Sequence, residues 1–427
     1  MKKLYIIALS LAITSASYSQ CTGGRYSSDV FAGVTVTSDI NYGANTSSTG
    51  VNTQLDLDFY EPTGDTETAR PLIIWAHGGS FIFGSKTDAD VVTLGNAFAK
   101  KGFAFASIDY RLESSFPITA TKAIEAVVRA VQDMKAAIRF FYKDRSTTDT
   151  YKIDTTQIFI AGTSAGGITA INLAYLDKEC EILEFISSAS LTSLGGIEGS
   201  SGNAGYSTDI VGTIGLAGAL ASYGWMEPGD SPICMTHGTA DGTVAYSRGM
   251  VNVIGIDIME LDGSRMIDEH ANAIGIQSNF YTHLGAGHVP HTSSAAYMDT
   301  TINFVRDFLI DIMGCTDAAL QPENAPFGTA TLYPITYCGG PLSLEENTFD
   351  NVKTIYPNPA ATSLTISFND SESEKEIVLL DLSGRIIANY QTNMESLTIQ
   401  RNDLNSGTYF IQTTINGIIS SSKIIFE

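Results

Sequence analysis

The stretch QIFIAGTSAGG, residues 157–167, decides how this chain folds. Its first five residues, Gln157 followed by the apolar run Ile158 to Ala161, read as a strand. The run passes without a spacer into Gly162-Thr163-Ser164-Ala165-Gly166, and a helical pattern follows to about Tyr175. A serine wedged between strand and helix turns so sharply that its backbone is strained. The flanking glycines let the two elements approach where a side chain would collide. The spacing therefore predicts that Ser164 projects at the carboxyl edge of a sheet, with the N-terminus of the next helix aimed at it.

The same rhythm extends outward. Between residues 31 and about 314, strand-like and helical runs alternate, which predicts an α/β domain with a mostly parallel sheet covered by helices on both faces. Residues 31–37 and 54–60 alternate apolar and polar side chains and fit an antiparallel edge hairpin, whereas 71–76 and 103–108 read as central strands. A helix is expected over about 120–143, with Val127, Val131, Met134, Ile138 and Phe141 on its core stripe and Asp133, Lys135 and Arg139 off it.

A serine hydroxyl is a weak nucleophile at neutral pH. It needs a base, a carboxylate that orients the base, and donors for the oxyanion that forms on attack. The strand-like run 71–76 ends in His77-Gly78-Gly79-Ser80-Phe81. The bare N–H groups of Gly78 and Gly79, with that of Ala165, are the candidate oxyanion donors. The run 233–235 leads into Thr236-His237-Gly238-Thr239-Ala240-Asp241-Gly242, which places Asp241 in a tight loop at a strand end; Asp230 competes as the carboxylate. The run 280–284 leads into Gly285-Ala286-Gly287-His288, whose glycines let a loop lower the imidazole over the serine; His291 competes as the base. His77 and His237 are expected to hold loops by hydrogen bonds, His270 to lie on the surface, and His283 to point from the strand before its loop. No His, Cys, Asp or Glu cluster has metal-ligand spacing, so neither a metal nor a cofactor is expected.

Charge narrows the partners. The 427 residues carry 46 acidic against 24 basic side chains, a net charge of -22, which argues against binding nucleic acid or an anionic membrane. Lys2 and Lys3, an apolar run over 4–13 and small or polar residues over 14–19 have the layout of a signal peptide, residues 1–19. The run is too short to span a bilayer, and no later run suits one, so no stable membrane insertion is expected. Tyr18, Ser19 and Gln20 before Cys21 do not form a lipid-attachment sequence. Export places the five cysteines where disulfides persist. A Cys315–Cys338 bridge is the local expectation, Cys21 with Cys180 is a pairing that spacing leaves open, and Cys234 reads as a small buried hydrophobe.

The domain boundaries that follow are a catalytic α/β domain over 20–314, a linker over 315–346, and a small all-β sandwich over 347–427, where short alternating runs are separated by turns.

His77-Gly78-Gly79, Asp109-Tyr110-Arg111-Leu112, the turn at Ser164, His237-Gly238-Thr239-Ala240-Asp241 and Gly287-His288 together resemble the α/β-hydrolase superfamily. Within it they are similar to carboxylesterase and lipase-like members with an HGG oxyanion motif and a GxSxGG elbow, over residues 31–314. The resemblance implies an α/β-hydrolase fold and a serine esterase acting on carboxylic esters. Ser164 is then the nucleophile, His288 the base, Asp241 its orienting carboxylate, and Gly78, Gly79 and Ala165 the oxyanion hole, while Tyr110 and Arg111 are structural. Ser80 stands where hormone-sensitive-lipase-like relatives often have a third glycine, which leaves the subfamily open. Two other readings share these motifs: a prolyl-oligopeptidase-like serine peptidase, and a non-catalytic binding protein on the same fold. The Gly-, Ser- and Ala-rich segment 190–225 lies where such folds place pocket residues. Its small side chains suggest an open, shallow site for bulky or polymeric esters, such as polysaccharide-linked acetyl or feruloyl groups or polyesters.

Near the C-terminus, Tyr356-Pro357-Asn358-Pro359, Asp381-Leu382-Ser383-Gly384-Arg385, Leu404, Gly407-Thr408-Tyr409 and Lys423 resemble the C-terminal sorting domain of type IX secretion cargo in Bacteroidetes. This implies the type IX secretion machinery as a partner, a route through the periplasm, and a secreted or cell-surface location. A carbohydrate-binding module is the alternative, although the segment is poor in aromatics that stack on sugars.

Overall fold

The computed structural model describes residues 19–427 except 115–117, 254, 316–323, 325, 336–337, 339–351, 370–372, 382–384, 403 and 416–417. The export segment read from residues 1–19 lies, but for Ser19, outside them. The chain divides into two compact units, residues 1–339 and 340–427.

The first unit opens with the hairpin β1 (Val34–Thr46) and β2 (Asn52–Pro62), followed by β3 (Arg70–Ala76), α1 (Ala89–Lys101), β4 (Ala104–Ile108), α2 (Ala120–Ser146) and β5 (Ile153–Thr163). It continues through α3 (Ala165–Tyr175), α4 (Glu179–Ile182), α5 (Ser188–Leu194), β6 (Gly212–Leu216), β7 (Ala219–Leu220) and β8 (Ile233–Gly238). β9 (Arg248–Val253), β10 (Ile256–Gly263), α6 (Ser264–Ile274), β11 (Ser278–His283) and α7 (Ala295–Ile312) complete it. The main sheet has eight strands in the order β1-β2-β4-β3-β5-β6-β8-β11. β1 and β2 are antiparallel, and β2 is antiparallel to β4; from β4 onward the strands are parallel.

β3 shows why this sheet is central. All seven of its residues are buried. Because side chains alternate across a strand, Leu72, Ile74 and Ala76 join a cluster with residues of α2 and α3, while Ile73 and Trp75 join another with residues of α1 and α7. The chain leaves β3 toward β4 on one side and returns to β5 on the other. Such a switch point opens a crevice beyond the carboxyl ends of the strands, where α/β sheets bind ligands.

Asp133, Lys135 and Arg139, off the apolar stripe of α2, are also buried. Asp133 is fully enclosed and paired with Arg111 at 2.8 Å, so α2 is covered on its polar side as well. The disulfides differ from the expected pairing: Cys21 joins Cys315 and Cys180 joins Cys338. The expected linker is therefore tied to the first unit as far as Cys338, and the unit boundary falls at 339–340. Cys234 is wholly buried on β8.

The second unit is all-β. β12 (Val352–Tyr356), β13 (Ser363–Phe368), β14 (Lys375–Leu380), β15 (Ile386–Thr392), β16 (Ser396–Gln400), β17 (Gly407–Ile415) and β18 (Ile418–Phe426) form a three-stranded sheet, β12-β13-β16, and a four-stranded sheet, β15-β14-β17-β18. Leu364, Ile366 and Phe368 alternate inward on β13 and pack in one core with Ile377, Leu379, Ile411 and Ile424. Asn358 ties its Pro-flanked loop to the last strand, its side chain accepting from the Ile425 N–H at 2.8 Å and donating to the Lys423 carbonyl at 3.0 Å. Leu382, Ser383 and Gly384 lie outside the described residues.

Candidate active site

Ser164 sits where β5 meets α3, with φ 54° and ψ -115°. This left-handed conformation is strained for a residue with a side chain. Contacts across the elbow explain why its glycines are required. A Cβ on Gly162 would lie 2.1 Å from the Gly166 carbonyl carbon, and one on Gly166 would lie 2.0 Å from the Ala76 oxygen. The helix is thus pressed against β3 and β5, and Ser164 is levered out over the sheet edge. Its N–H donates to the Leu216 carbonyl at 2.7 Å, which fixes the turn.

Ser164 Oγ lies 2.7 Å from His288 Nε2, and His288 Nδ1 lies 2.7 Å from Asp241 Oδ2. Asp241 Oδ2 also accepts from His237 Nε2 at 3.2 Å, and Oδ1 accepts from the N–H groups of Thr243 and Val244 at 2.8 and 3.0 Å. Burial opposes its ionisation, but hydrogen bonds from His237 and His288 outweigh that cost and hold its carboxyl well below the usual carboxylate range. His237 is itself fixed, with Nδ1 at 2.8 Å from Ser264 Oγ and Nε2 donating to the Val244 carbonyl at 3.0 Å. The expectation that His237 holds a loop thus extends to holding Asp241.

The other candidates lie elsewhere. Asp230 closes its own turn, accepting from the Glu227 N–H at 2.7 Å. His291 is buried, 3.4 Å from Asp90. His283 is buried between Tyr281 and Tyr297. His270, expected on the surface, is only 5% exposed and packs 4.7 Å from the Tyr223 ring, because the segment leading into β8 covers that face of α6.

The Gly78–Gly79 loop is held from its core side. Tyr110 donates its hydroxyl to the His77 carbonyl at 2.9 Å, and His77 Nδ1 donates to the Gly78 carbonyl at 2.6 Å. Burial lowers the His77 pKa and favours the neutral ring. In a trans peptide the N–H points opposite to the C=O. With both carbonyls drawn toward His77 and Tyr110, the N–H groups of Gly78 and Gly79 face the other way. A Cβ on Gly78 would lie 3.6 Å from that of Ser164. Gly79 has φ 111°, and a Cβ there would lie 2.1 Å from the Phe83 carbonyl oxygen. Ala165, first residue of α3, presents its N–H at a helix N-terminus, the end that favours negative charge.

Gly78, Gly79, Ser80, Ser164, Asn252 and His288 line a cleft of about 510 Å³. Asp88 and Asp90 also line it. Among the described residues 190–225, none lines this cleft, while Ala221 and Trp225 line the apolar cavity beside it. Instead Asn252 of β9 and Gly255 of the turn between β9 and β10 line it on one side; β9 and β10 are an antiparallel pair in a separate three-stranded sheet with β7. Sequence reasoning passed over this hairpin, although residues 248–263 alternate around a glycine turn at Gly255. Among the described residues no group of three or more His, Cys, Asp or Glu side chains is placed to hold a metal, and no helix is long and apolar enough to cross a membrane.

Comparison with known proteins gives matches for both units. Residues 57–194 match the family model described as BD-FAE, and residues 354–427 match that of the secretion system C-terminal sorting domain. Human arylacetamide deacetylase-like 2 is 33% identical over 114 residues, 26% of this chain and 26% of that protein, so the match spans about a quarter of the relative. Among solved structures, the apo form of Thermogutta terrifontis esterase 2 is 19% identical with a TM-score of 0.48, covering 67% of this chain and 97% of that one. Its propionate-bound form is 20% identical with a TM-score of 0.47, covering 69% and 97%. The first unit, a mostly parallel sheet flanked by helices, thus carries the BD-FAE match, and the second, all-β unit carries the match to the secretion system C-terminal sorting domain.

Proposed function

We propose that this protein is an exported serine esterase that hydrolyses carboxylic esters through an acyl-enzyme. The observation that carries the reading is the run Ser164 Oγ, His288, Asp241, with 2.7 Å at both steps, hung from a serine in a strained left-handed turn. Ser164 Oγ attacks the ester carbonyl while His288 Nε2 takes its proton, and Asp241 stabilises the imidazolium that forms. The oxyanion develops against the N–H groups of Gly78, Gly79 and Ala165, each such donor typically worth about 10² to 10³ in turnover. His288 then returns the proton to the departing alcohol, and a water activated by the same imidazole releases the acid. The C-terminal domain acts as an address for the type IX secretion machinery, which takes the enzyme from the periplasm to the cell surface or medium.

Ser164→Ala is expected to lower turnover of p-nitrophenyl acetate by roughly 10⁴ to 10⁶ with the thermal melt unchanged. Retained activity in the folded variant rejects the assignment. One observation favours a second reading, a serine peptidase: Asp88 and Asp90 stand at the cleft and offer carboxylates to a substrate amine. Against it, Asp90 already faces His291 and Asp88 faces Ser85 Oγ, each at 3.4 Å. Peptide p-nitroanilides turned over faster than the esters would favour the peptidase. Absence of fluorophosphonate labelling at Ser164 would favour a binding protein.

A further inference from the structure

Beside the cleft lies a second cavity of different character, a chamber of about 60 Å³ with almost wholly apolar walls. Phe81, Ile168, Phe185, Trp225, Val251 and Val253 are among its lining residues. Its one carboxylate, Glu113, is 2% exposed and accepts from Arg129 at 3.1 Å, so the chamber offers an entering group no uncompensated charge.

Two features join this chamber to the nucleophile. Ser80, next to Gly79, lines both spaces. β9 divides them by the alternation of a strand, with Val251 and Val253 on the chamber and Asn252 on the cleft. Ile168 stands one helical turn after Ser164, its N–H donating to the Ser164 carbonyl at 2.8 Å, and its side chain forms part of the chamber wall. Ser80 and Phe81 both have left-handed backbones, at φ 57° and 62°. Such strain persists only where the surroundings enforce it and concentrates at ligand-clamping sites.

Resting on the esterase reading, we infer that the chamber receives the acyl chain, and that the preferred substrates are esters of straight-chain acids of about five to seven carbons. A water-sized group needs on the order of 10 to 15 Å³ of such space. The chamber therefore holds roughly four or five methylene-sized groups beyond the carbons that stay in the cleft. A longer chain has no room, and an acetyl group leaves the chamber empty.

The test is a p-nitrophenyl ester series from acetate through butyrate and hexanoate to decanoate, measured on the full chain. Burying each methylene raises kcat/KM about fourfold, so hexanoate should exceed acetate by on the order of 10², with a fall at decanoate. Met259→Trp, which adds bulk at the chamber wall, should lower the hexanoate-to-acetate ratio at least tenfold. Val251→Ala, which enlarges the chamber, should raise the decanoate-to-hexanoate ratio. A wild-type preference for acetate, or ratios unmoved in both variants, overturns the inference. Activity surviving Ser164→Ala would instead overturn the esterase reading, so the two failures are distinguishable.

Discussion

Asp241→Asn tests the site at its least replaceable atom. Asp241 receives only donors: His288 Nδ1 and His237 Nε2 on Oδ2, and the N–H groups of Thr243 and Val244 on Oδ1. Asparagine has the same shape but brings an NH₂ in place of one oxygen. The two backbone N–H groups cannot turn away, so the amide oxygen must take the Oδ1 position and the NH₂ must face His288. His288 then presents an unprotonated Nδ1 and carries its proton on Nε2, the atom aimed at Ser164 Oγ. The base is blocked although no atom of the nucleophile or the oxyanion loop has moved. The expected loss in kcat is about 10⁴, or roughly 5.5 kcal/mol of transition-state stabilisation. The cost to folding is smaller, about 1 to 3 kcal/mol, because the backbone donors keep their acceptor and His237 keeps the Val244 carbonyl. p-Nitrophenolate release under saturating ester, with a thermal melt of the same sample, reads both quantities. A loss below tenfold in a folded variant would refute the argument, since Asp241 would then not set the tautomer of His288.

Two further outcomes concern stability. Asp133 is fully buried and accepts from Arg111 Nε at 2.9 Å and Ser201 Oγ at 2.6 Å, so Asp133→Ala strands the Arg111 charge; a loss of about 3 to 5 kcal/mol and a Tm roughly 10 °C lower are expected by calorimetry, and a change under 1 kcal/mol would refute it. His283 is buried, and burial lowers its pKa to about 4; the unfolded chain therefore takes up this proton first, and stability drains as pH falls from about 6.5 to about 4, by at most roughly 3 kcal/mol. His283→Phe removes that drain, so its Tm should fall less than that of the wild type between pH 7 and pH 4.5, and parallel curves would reject the assignment.

The candidate site was legible because each of its parts follows a strand end and announces itself locally. Gly162 is forced by backbone approach within a few residues and Gly79 by its own loop, while Gly166 is forced by the Ala76 carbonyl of β3. Ser164, Asp241 and His288 all stand in loops that glycines mark in the sequence. What stayed hidden depends on distant partners. Cys21 and Cys315 are 294 residues apart and Cys180 and Cys338 are 158 apart, so spacing favoured the wrong, local bridge. Asp133 stood off the apolar stripe of its helix, and its burial rests on Arg111, from the loop after β4. His270 looked exposed because hydrophobic periodicity marks a helix's apolar face but does not say whether the other face is also covered.

The β9–β10 hairpin escaped for a related reason. Alternation says that a strand has two different faces, but it does not say which sheet the strand joins. Here the strands leave the main sheet and pair with β7, and their fixed end is polar: Arg248 bridges to Asp262 at 2.8 Å, Asp262 accepts from the Tyr223 N–H at 2.9 Å, and Tyr333 hydrogen-bonds the same carboxylate. Tyr333 also packs 4.4 Å from the Tyr223 ring, under the Arg248 guanidinium at 4.5 Å, and it lies five residues before Cys338, which is bonded to Cys180. Ser164, Asp241 and His288 thus follow the ends of strands of one sheet. The β9–β10 residues that line the cleft and the apolar chamber belong to another sheet, anchored by long-range contacts from the segment between α7 and the C-terminal unit. The first arrangement depends on residues that are neighbours in sequence or share one sheet, and so it can be read from motifs; the second depends on contacts across more than a hundred residues, such as Tyr223 with Tyr333, and only the folded chain brings them together.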